Sequence, residues 1–81
     1  MTVRIVTSDG VAFTSEISYA NLPVPEGSVG ILHNHAPMLC ALEAGTVRFT
    51  DANGGTVTKT IGRGVAHIQN NELTLLVDTA E

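Results

Sequence analysis

Apolar and polar residues alternate with a period of two along most of the chain. Val3 and Ile5 flank Arg4 near the start, and the same alternation returns at Val47 and Phe49. Side chains on a strand point to opposite faces in turn, so the pattern predicts strands. The strands recur about every 8–12 residues with turn signals between them, which favours a sandwich or barrel. A small chain of strands must pack two sheets face to face to bury a core.

Three dipeptides predict the tight turns between these strands. They are Asp9-Gly10, Asn53-Gly54 and Asn70-Asn71. Asn-Gly is the strongest short hairpin signal, and a type I′ turn would require positive φ at both Asn53 and Gly54. A further pair of glycines, Gly62 and Gly64, predicts a corner between two strands.

Prolines and isolated apolar residues add further expectations. Pro23 and Pro25 are expected to end a strand over residues 12–22, because proline cannot donate to a ladder. Gly30, inside the short apolar segment 29–32, predicts a bulge or a close backbone approach. On the last strand, Leu76 would point to the face opposite the apolar residues on either side of it. This predicts that the last strand is buried on both faces.

The segment 36–45 is ambiguous on local grounds. It contains good helix formers, with Pro37 near its start and Gly45 at its end, which are ordinary boundaries of a helix. It spans only about two and a half turns, however, and lies among predicted strands. Propensity alone leaves helix and strand open.

Composition and charge limit which classes of function are possible. The 81 residues are 43% hydrophobic and 15% charged, which is typical of one globular domain, 1–81. The formal net charge is −4 and the four basic residues are scattered, so nucleic acid is not an expected ligand. A membrane-spanning helix needs about 18 consecutive apolar residues, and no apolar run in the chain approaches that length. Cys40 is the only cysteine, and its apolar neighbours predict an inert, buried thiol.

His33 and His35 are the first candidates for chemistry. On a strand, residues two apart share a face, so both imidazoles could bind one metal ion in a small metal- or ligand-binding β-module. No further ligand is placed nearby by the sequence, and the alternative is a pair of surface or interface histidines. The eight carboxylates are scattered, so we expect neither a bound metal, a cofactor nor catalytic residues.

The stretch 25–39 departs most from the regular alternation of strands and turns. It holds two of the three prolines and two of the three histidines. An ordered loop with exposed apolar residues is a plausible protein-binding element. The alternative is a β-corner whose prolines and glycines only direct the backbone.

Residues 26–48 also resemble the epsilon subunit family of F-type ATP synthases, named delta in mitochondria. The family carries the motif G-x-x-G-I-x-x-x-H-A-P-L-L, then a spacer, a glycine and a strand containing arginine. The matching positions are Gly27, Gly30, Ile31, His35, Ala36, Pro37, Met38, Leu39, Gly45 and Arg48. The resemblance extends over the whole chain. It implies an all-β fold, a flattened sandwich of two antiparallel sheets with about eight to ten short strands, and it implies a strand within 36–45.

The resemblance also implies a function. Epsilon subunits are non-catalytic parts of the rotor's central stalk, binding the gamma subunit and the ring of c subunits and coupling proton or sodium transport to ATP synthesis. By matching position, the ring-facing loop would comprise Glu26, Gly27, Ser28 and Val29. The gamma-facing surface would comprise Thr7, Ser8, His35, Ala36, Met38 and Cys40. The prolines and glycines of the stretch are expected to hold these two surfaces apart.

Two further expectations come from the resemblance. Family members often carry a second acidic residue where Ser28 stands, and usually continue into a two-helix domain that can inhibit ATP hydrolysis. We expect this chain to lack that helical element and the ATP site associated with it. We also expect a peripheral location on the cytoplasmic face of the bacterial inner membrane.

Overall fold

A computed structural model describes all 81 residues and contains eight β-strands. In chain order they are β1 Thr2–Thr7, β2 Gly10–Val24, β3 Gly27–Leu32, β4 Met38–Leu42, β5 Gly45–Asp51, β6 Thr56–Ile61, β7 Gly64–Gln69 and β8 Glu72–Val77. The all-β prediction is confirmed, and β4 shows that the ambiguous segment forms a strand. The structure contains no helix that could span a membrane.

The strands form a sandwich because one long strand, β2, belongs to both sheets. Its first part pairs with β1 as far as Glu16, and its second part pairs with β5 from Ile17 and with β3 from Tyr19. The first sheet therefore has the order β4-β7-β8-β1-β2, and the second has the order β3-β2-β5-β6. All pairs are antiparallel except β1 and β8, which run parallel.

The core between the two sheets is entirely apolar. All 16 buried residues are hydrophobic, and they are aliphatic or methionine except for Phe49. Val3 and Ile5 on β1 are fully buried, as the alternation predicts. Phe13 stacks on Phe49 with ring centroids 5.8 Å apart, which connects the first part of β2 to the second sheet. Packing of this kind supplies most of the stability of a small domain.

A β-bulge at Ser18 changes which residues of β2 face the core. Ile17 pairs with Asp51 and Tyr19 pairs with Thr50, so Ser18 is the extra residue. Its hydroxyl donates to the carbonyls of Thr50 and Asp51 at 3.2 and 3.3 Å. The buried positions consequently shift by one residue, from Ile17 to Ala20 and Leu22. A strict period of two would have placed Tyr19 in the core.

The expectation that Pro23 ends the strand is wrong, because β2 continues to Val24. Pairing with β5 stops at Asn21, so Pro23 has a strand neighbour on the β3 side alone. Its carbonyl accepts a hydrogen bond from the Glu43 amide at 3.0 Å, on the side away from β3. The nitrogen of a strand residue points to the same side as its carbonyl, so the missing N–H removes no ladder bond.

The predicted turns form, but one differs in type. Asn70 and Asn71 have φ of 53° and 62°, as a two-residue type I′ turn requires. Asn53 lies outside the left-handed region, and Gly54 alone has positive φ, at 85°. The Asp51 carboxylate accepts hydrogen bonds from the amides of Asn53 and Gly55 and holds a longer loop. The predicted hairpin is therefore confirmed, while the type I′ geometry at Asn53-Gly54 is wrong.

Candidate interaction surface

The predicted ring-facing loop is the tip of the hairpin formed by β2 and β3. Val24 pairs with Gly27, so Pro25 and Glu26 form a two-residue turn. Gly27 has φ of 129°, a conformation that other residues rarely adopt. Glu26, Gly27 and Ser28 are exposed, whereas Val29 is half-buried and packs against the core. The hairpin thus presents a short polar tip on an apolar base.

The residues that match the family motif have different structural roles. Ile31 is fully buried, and a Cβ on Gly30 would lie 2.5 Å from the Tyr19 hydroxyl oxygen, so Gly30 allows Tyr19 to cross β3. The register of β2 with β3 is regular there, so the close approach is confirmed and the bulge is wrong. Gly45 begins β5, and Pro37, Leu39 and Arg48 are exposed.

An open groove of about 260 Å³ lies between the hairpin tip and β4. The hairpin contributes an apolar wall and one carboxylate, and β4 contributes the opposite wall. The lining residues are Val24, Pro25, Glu26, Val29, Met38, Cys40 and Ala41. The predicted ring-facing loop and part of the predicted gamma-facing surface therefore border the same groove, and the expectation that these two sets of residues are held apart is wrong. The Glu43–Pro23 hydrogen bond brings β4 to the hairpin.

Cys40 is half-buried in this groove and packs against the core. Burial raises the pKa of its thiol, and the negative charge of Glu26 raises that pKa further. The expectation of an inert thiol and the expectation of an interface residue are both compatible with this position, because one side of Cys40 faces the core and the other the groove. A raised thiol pKa makes Cys40 a weak nucleophile at neutral pH.

We expect Glu26→Gln to accelerate alkylation of Cys40 by iodoacetamide by about twofold at pH 8, because removing the nearby charge lowers the thiol pKa. The rate is measured by mass spectrometry of the intact protein. Glu72→Gln, on an exposed β8 position outside the groove, serves as the control and should leave the rate unchanged. Equal rates for Glu26→Gln and the unmodified sequence would contradict the proximity of the hairpin tip to β4.

The two histidines considered for metal binding do not share a strand face. His33 lies in a turn closed by the His35 amide, which donates to the Leu32 carbonyl at 3.2 Å. His35 follows that turn, and its Nδ1 lies 2.7 Å from the Ala36 carbonyl, so Nδ1 carries the proton. No group of three or more His, Cys, Asp or Glu side chains is placed to hold a metal ion. The geometry assumed for the metal-binding alternative is therefore wrong.

Thr7 and Ser8 lie far from the other predicted gamma-facing residues. They occupy the end of β1 and the turn after it, whereas Met38 and Cys40 lie on β4, at the far edge of the first sheet. Three strand spacings, roughly 14 Å, separate β1 from β4 in the sheet order β4-β7-β8-β1. The predicted surface thus falls into two groups at opposite sides of one sheet.

An apolar row that the sequence analysis missed crosses the outward face of the same sheet. The pairing register places one residue from each of the five strands of the first sheet side by side, in the order Ala41, Val65, Leu76, Val6 and Val11. Leu76 is 48% exposed and Val11 is 59% exposed, so the row faces outward. The expectation that Leu76 is buried is therefore wrong. Ala41 also lines the groove, so the row ends at the edge strand that borders the groove.

The surroundings of the apolar row are mostly polar. The next row across the same sheet consists of Leu39, His67, Thr74, Arg4 and Thr14. Leu39 is 69% exposed and extends the apolar area along β4. An apolar centre with a polar rim is the usual anatomy of a protein-binding surface. The sequence signal for it was a set of apolar residues at the outward positions of otherwise alternating strands.

Comparison with known proteins places the whole chain in one family. Residues 1–81 match the model of the ATP synthase Delta/Epsilon chain, beta-sandwich domain. The chain is 41% identical over 81 residues to the ATP synthase epsilon chain of Synechocystis, covering 100% of this chain and 59% of that protein. The epsilon chain of Desulfitobacterium hafniense is 36% identical, over 99% of this chain and 60% of that protein. The chain thus spans less than two thirds of the length of these relatives.

Two solved structures share the fold. One is the Euglena gracilis mitochondrial ATP synthase, OSCP/F1/c-ring, with a TM-score of 0.90 at 18% identity, over 98% of this chain and 51% of the matched one. The other is the central stalk and c-ring of the Tetrahymena thermophila mitochondrial ATP synthase, with a TM-score of 0.81 at 15% identity, over 100% and 65%. At these identities the likeness establishes the sandwich fold.

Proposed function

The chain belongs to the delta/epsilon family of ATP synthase subunits, over its β-sandwich domain, and we propose that it acts as a non-catalytic subunit of the central stalk. In this role it binds the gamma subunit and the c ring and couples proton or sodium transport to ATP synthesis. The observation that carries the proposal is the outward apolar row, which crosses all five strands of the first sheet.

The apolar row is the proposed centre of the gamma-binding surface. Four strand spacings of about 4.8 Å give it a length of roughly 19 Å, enough for a helix of a partner to lie across the sheet. Its exposed aliphatic side chains favour burial, since each Å² of apolar surface removed from water contributes about 25 cal/mol. Thr7 and Ser8 follow Val6 along the chain, near one end of the row. At the other end, Met38 and Cys40 alternate along β4 with the outward Leu39 and Ala41 and pack against the core.

The hairpin tip is the proposed contact with the c ring. Glu26 and Ser28 are exposed there and no salt bridge holds Glu26, so both are available to a partner. Ser28 replaces the second acidic residue common in the family, and Glu26 would then carry the charged contact alone. The subunit would sit peripherally on the cytoplasmic face of the bacterial inner membrane, with this tip directed at the ring.

The proposal is tested by binding to immobilised gamma subunit and to purified c ring. We expect the unmodified protein to bind both partners. Met38→Asp should weaken binding to gamma by about tenfold, because it places a charge beside a desolvated apolar contact. Glu26→Lys should weaken binding to the ring and leave gamma binding nearly unchanged. Each variant thus serves as the control for the other.

Thermal melting followed by circular dichroism checks that both variants remain folded, which matters because Met38 packs against the core. Failure of the unmodified protein to bind gamma would overturn the proposed function. Retention of full gamma affinity by a folded Met38→Asp variant would remove the groove edge from the gamma-binding surface.

A further inference from the structure

Asn71 connects three segments that are distant in sequence. Its backbone carbonyl accepts a hydrogen bond from the Thr2 amide at 3.1 Å, at the start of β1. Its side-chain oxygen Oδ1 accepts a second bond from the Asn34 amide at 2.8 Å. Asn34 lies 37 residues away, in the loop between β3 and β4. The turn between β7 and β8 is therefore bonded both to the first strand and to the loop that carries His35.

We propose that Asn71 is a positioning residue of the gamma-facing surface, which holds the loop of residues 33–37 in the conformation that meets the partner. The inference rests on the proposed function, because His35 and Ala36 are members of that surface. It goes beyond the family motif, since Asn71 lies outside the residues that match it. Asn71 contacts no partner itself in this proposal and acts through the loop.

The backbone conformations explain why asparagine suits both ends of this bond. Asn34 has φ of 61° and Asn71 has φ of 62°, both in the left-handed region that asparagine tolerates better than most residues. The left-handed turn at Asn34 reverses the chain after His33 and leaves the Asn34 amide without a partner in either sheet. The Asn71 carboxamide satisfies that amide.

The loop has few other attachments to the body of the domain. His33, Asn34, Ala36 and Pro37 are exposed, and the bonds from His35 to Leu32 and Ala36 are local to the loop. The Asn34–Asn71 bond is thus the hydrogen bond that ties the loop to the first sheet. Because the loop crosses from the second sheet to the first, its position determines where His35 lies relative to β4.

The test compares three variants of the full chain. Asn71→Gly keeps the left-handed backbone and removes the carboxamide, and Asn71→Asp keeps an acceptor oxygen. Asn70→Gly is the matched control, because Asn70 shares the turn and the left-handed conformation. Amide hydrogen exchange at Asn34 is measured in the free protein, gamma affinity by calorimetry, and folding by thermal melting.

We expect Asn71→Gly to increase Asn34 exchange and to weaken gamma binding by about three- to tenfold, as expected for the loss of one hydrogen bond. Its melting temperature should stay close to that of Asn70→Gly, and Asn71→Asp should restore both exchange protection and affinity. A purely structural role would lower stability without this selective loss and rescue of affinity.

Each contrary result has a distinct meaning. Unchanged Asn34 exchange in Asn71→Gly would overturn the bond between the turn and the loop. Faster exchange with full gamma affinity would overturn the positioning role and leave the proposed function standing. Absence of gamma binding by the unmodified protein would overturn the proposed function and the positioning role with it.

Discussion

Replacing Gly64 by alanine is expected to destabilise the protein by about 3 kcal/mol or more, a large effect caused by a backbone clash. A Cβ at this position would overlap the Leu76 carbonyl oxygen and lie 2.8 Å from the Val77 Cα. Both atoms belong to the backbone of the paired strand β8, so relief requires β7 and β8 to separate. A domain of this size has a total stability of roughly 4–12 kcal/mol, so the loss is a large share of it.

Gly45→Ala provides the matched control for this prediction. A Cβ on Gly45 would meet only the Pro23 side chain, at 3.4 and 3.5 Å, which is ordinary van der Waals contact. We expect it to change the free energy of unfolding by less than about 1 kcal/mol. Urea denaturation followed by far-ultraviolet circular dichroism measures both variants, since the chain has no tryptophan. Equal stability of the two variants would show that β8 does not approach Gly64 as described.

Replacing Leu76 by aspartate is expected to weaken binding to the gamma subunit by about a hundredfold while leaving the fold intact. Leu76 occupies the middle of the apolar row, with two apolar residues on each side of it across the sheet. Truncation at the centre of an interface has the largest effect, because water is excluded there and a new charge must be desolvated. The side chain points away from the core and is 48% exposed, so stability should change little.

Thr74→Asp is the control, because it adds the same charge on the same face of β8, one row away. Thr74 pairs with His67 and Arg4, which form part of the polar rim. We expect this variant to weaken binding less than about fivefold, as rim charges usually do. Calorimetric titration of gamma with each variant measures the difference. Similar losses for both variants would indicate a general charge effect and contradict an apolar centre at Leu76.

Much of the fold could be predicted from the sequence because the signals for it are local. Alternation at Val3 and Ile5 follows from the two-residue period of a strand, and these residues are indeed buried. The Asn70-Asn71 turn follows from the left-handed preference of asparagine. The hairpin tip at Glu26 was found as a ring-facing candidate through the family motif, and the structure shows it exposed.

The candidate site was less predictable because it depends on pairing between distant segments. The apolar row needs the register of five strands, and no window of sequence shows that Leu76 lies beside Val6. The groove needs the Glu43–Pro23 hydrogen bond, which brings β4 to the hairpin tip. The Asn34–Asn71 bond joins two turns 37 residues apart, and local turn chemistry predicts only that each turn forms.

The sequence by itself determined that this chain forms strands, where most of them turn, and which family it resembles. The strands and turns depend on backbone sterics and side-chain alternation within a few residues, and the resemblance depends on the motif within residues 26–48. Tertiary structure decided that Met38–Leu42 forms a strand where local propensity left helix open, that the bulge at Ser18 shifts the buried face of β2, and that Leu76 faces outward. The physical reason is that pairing with neighbouring strands supplies hydrogen bonds and core contacts that outweigh local preferences, and no local pattern records which strands become neighbours.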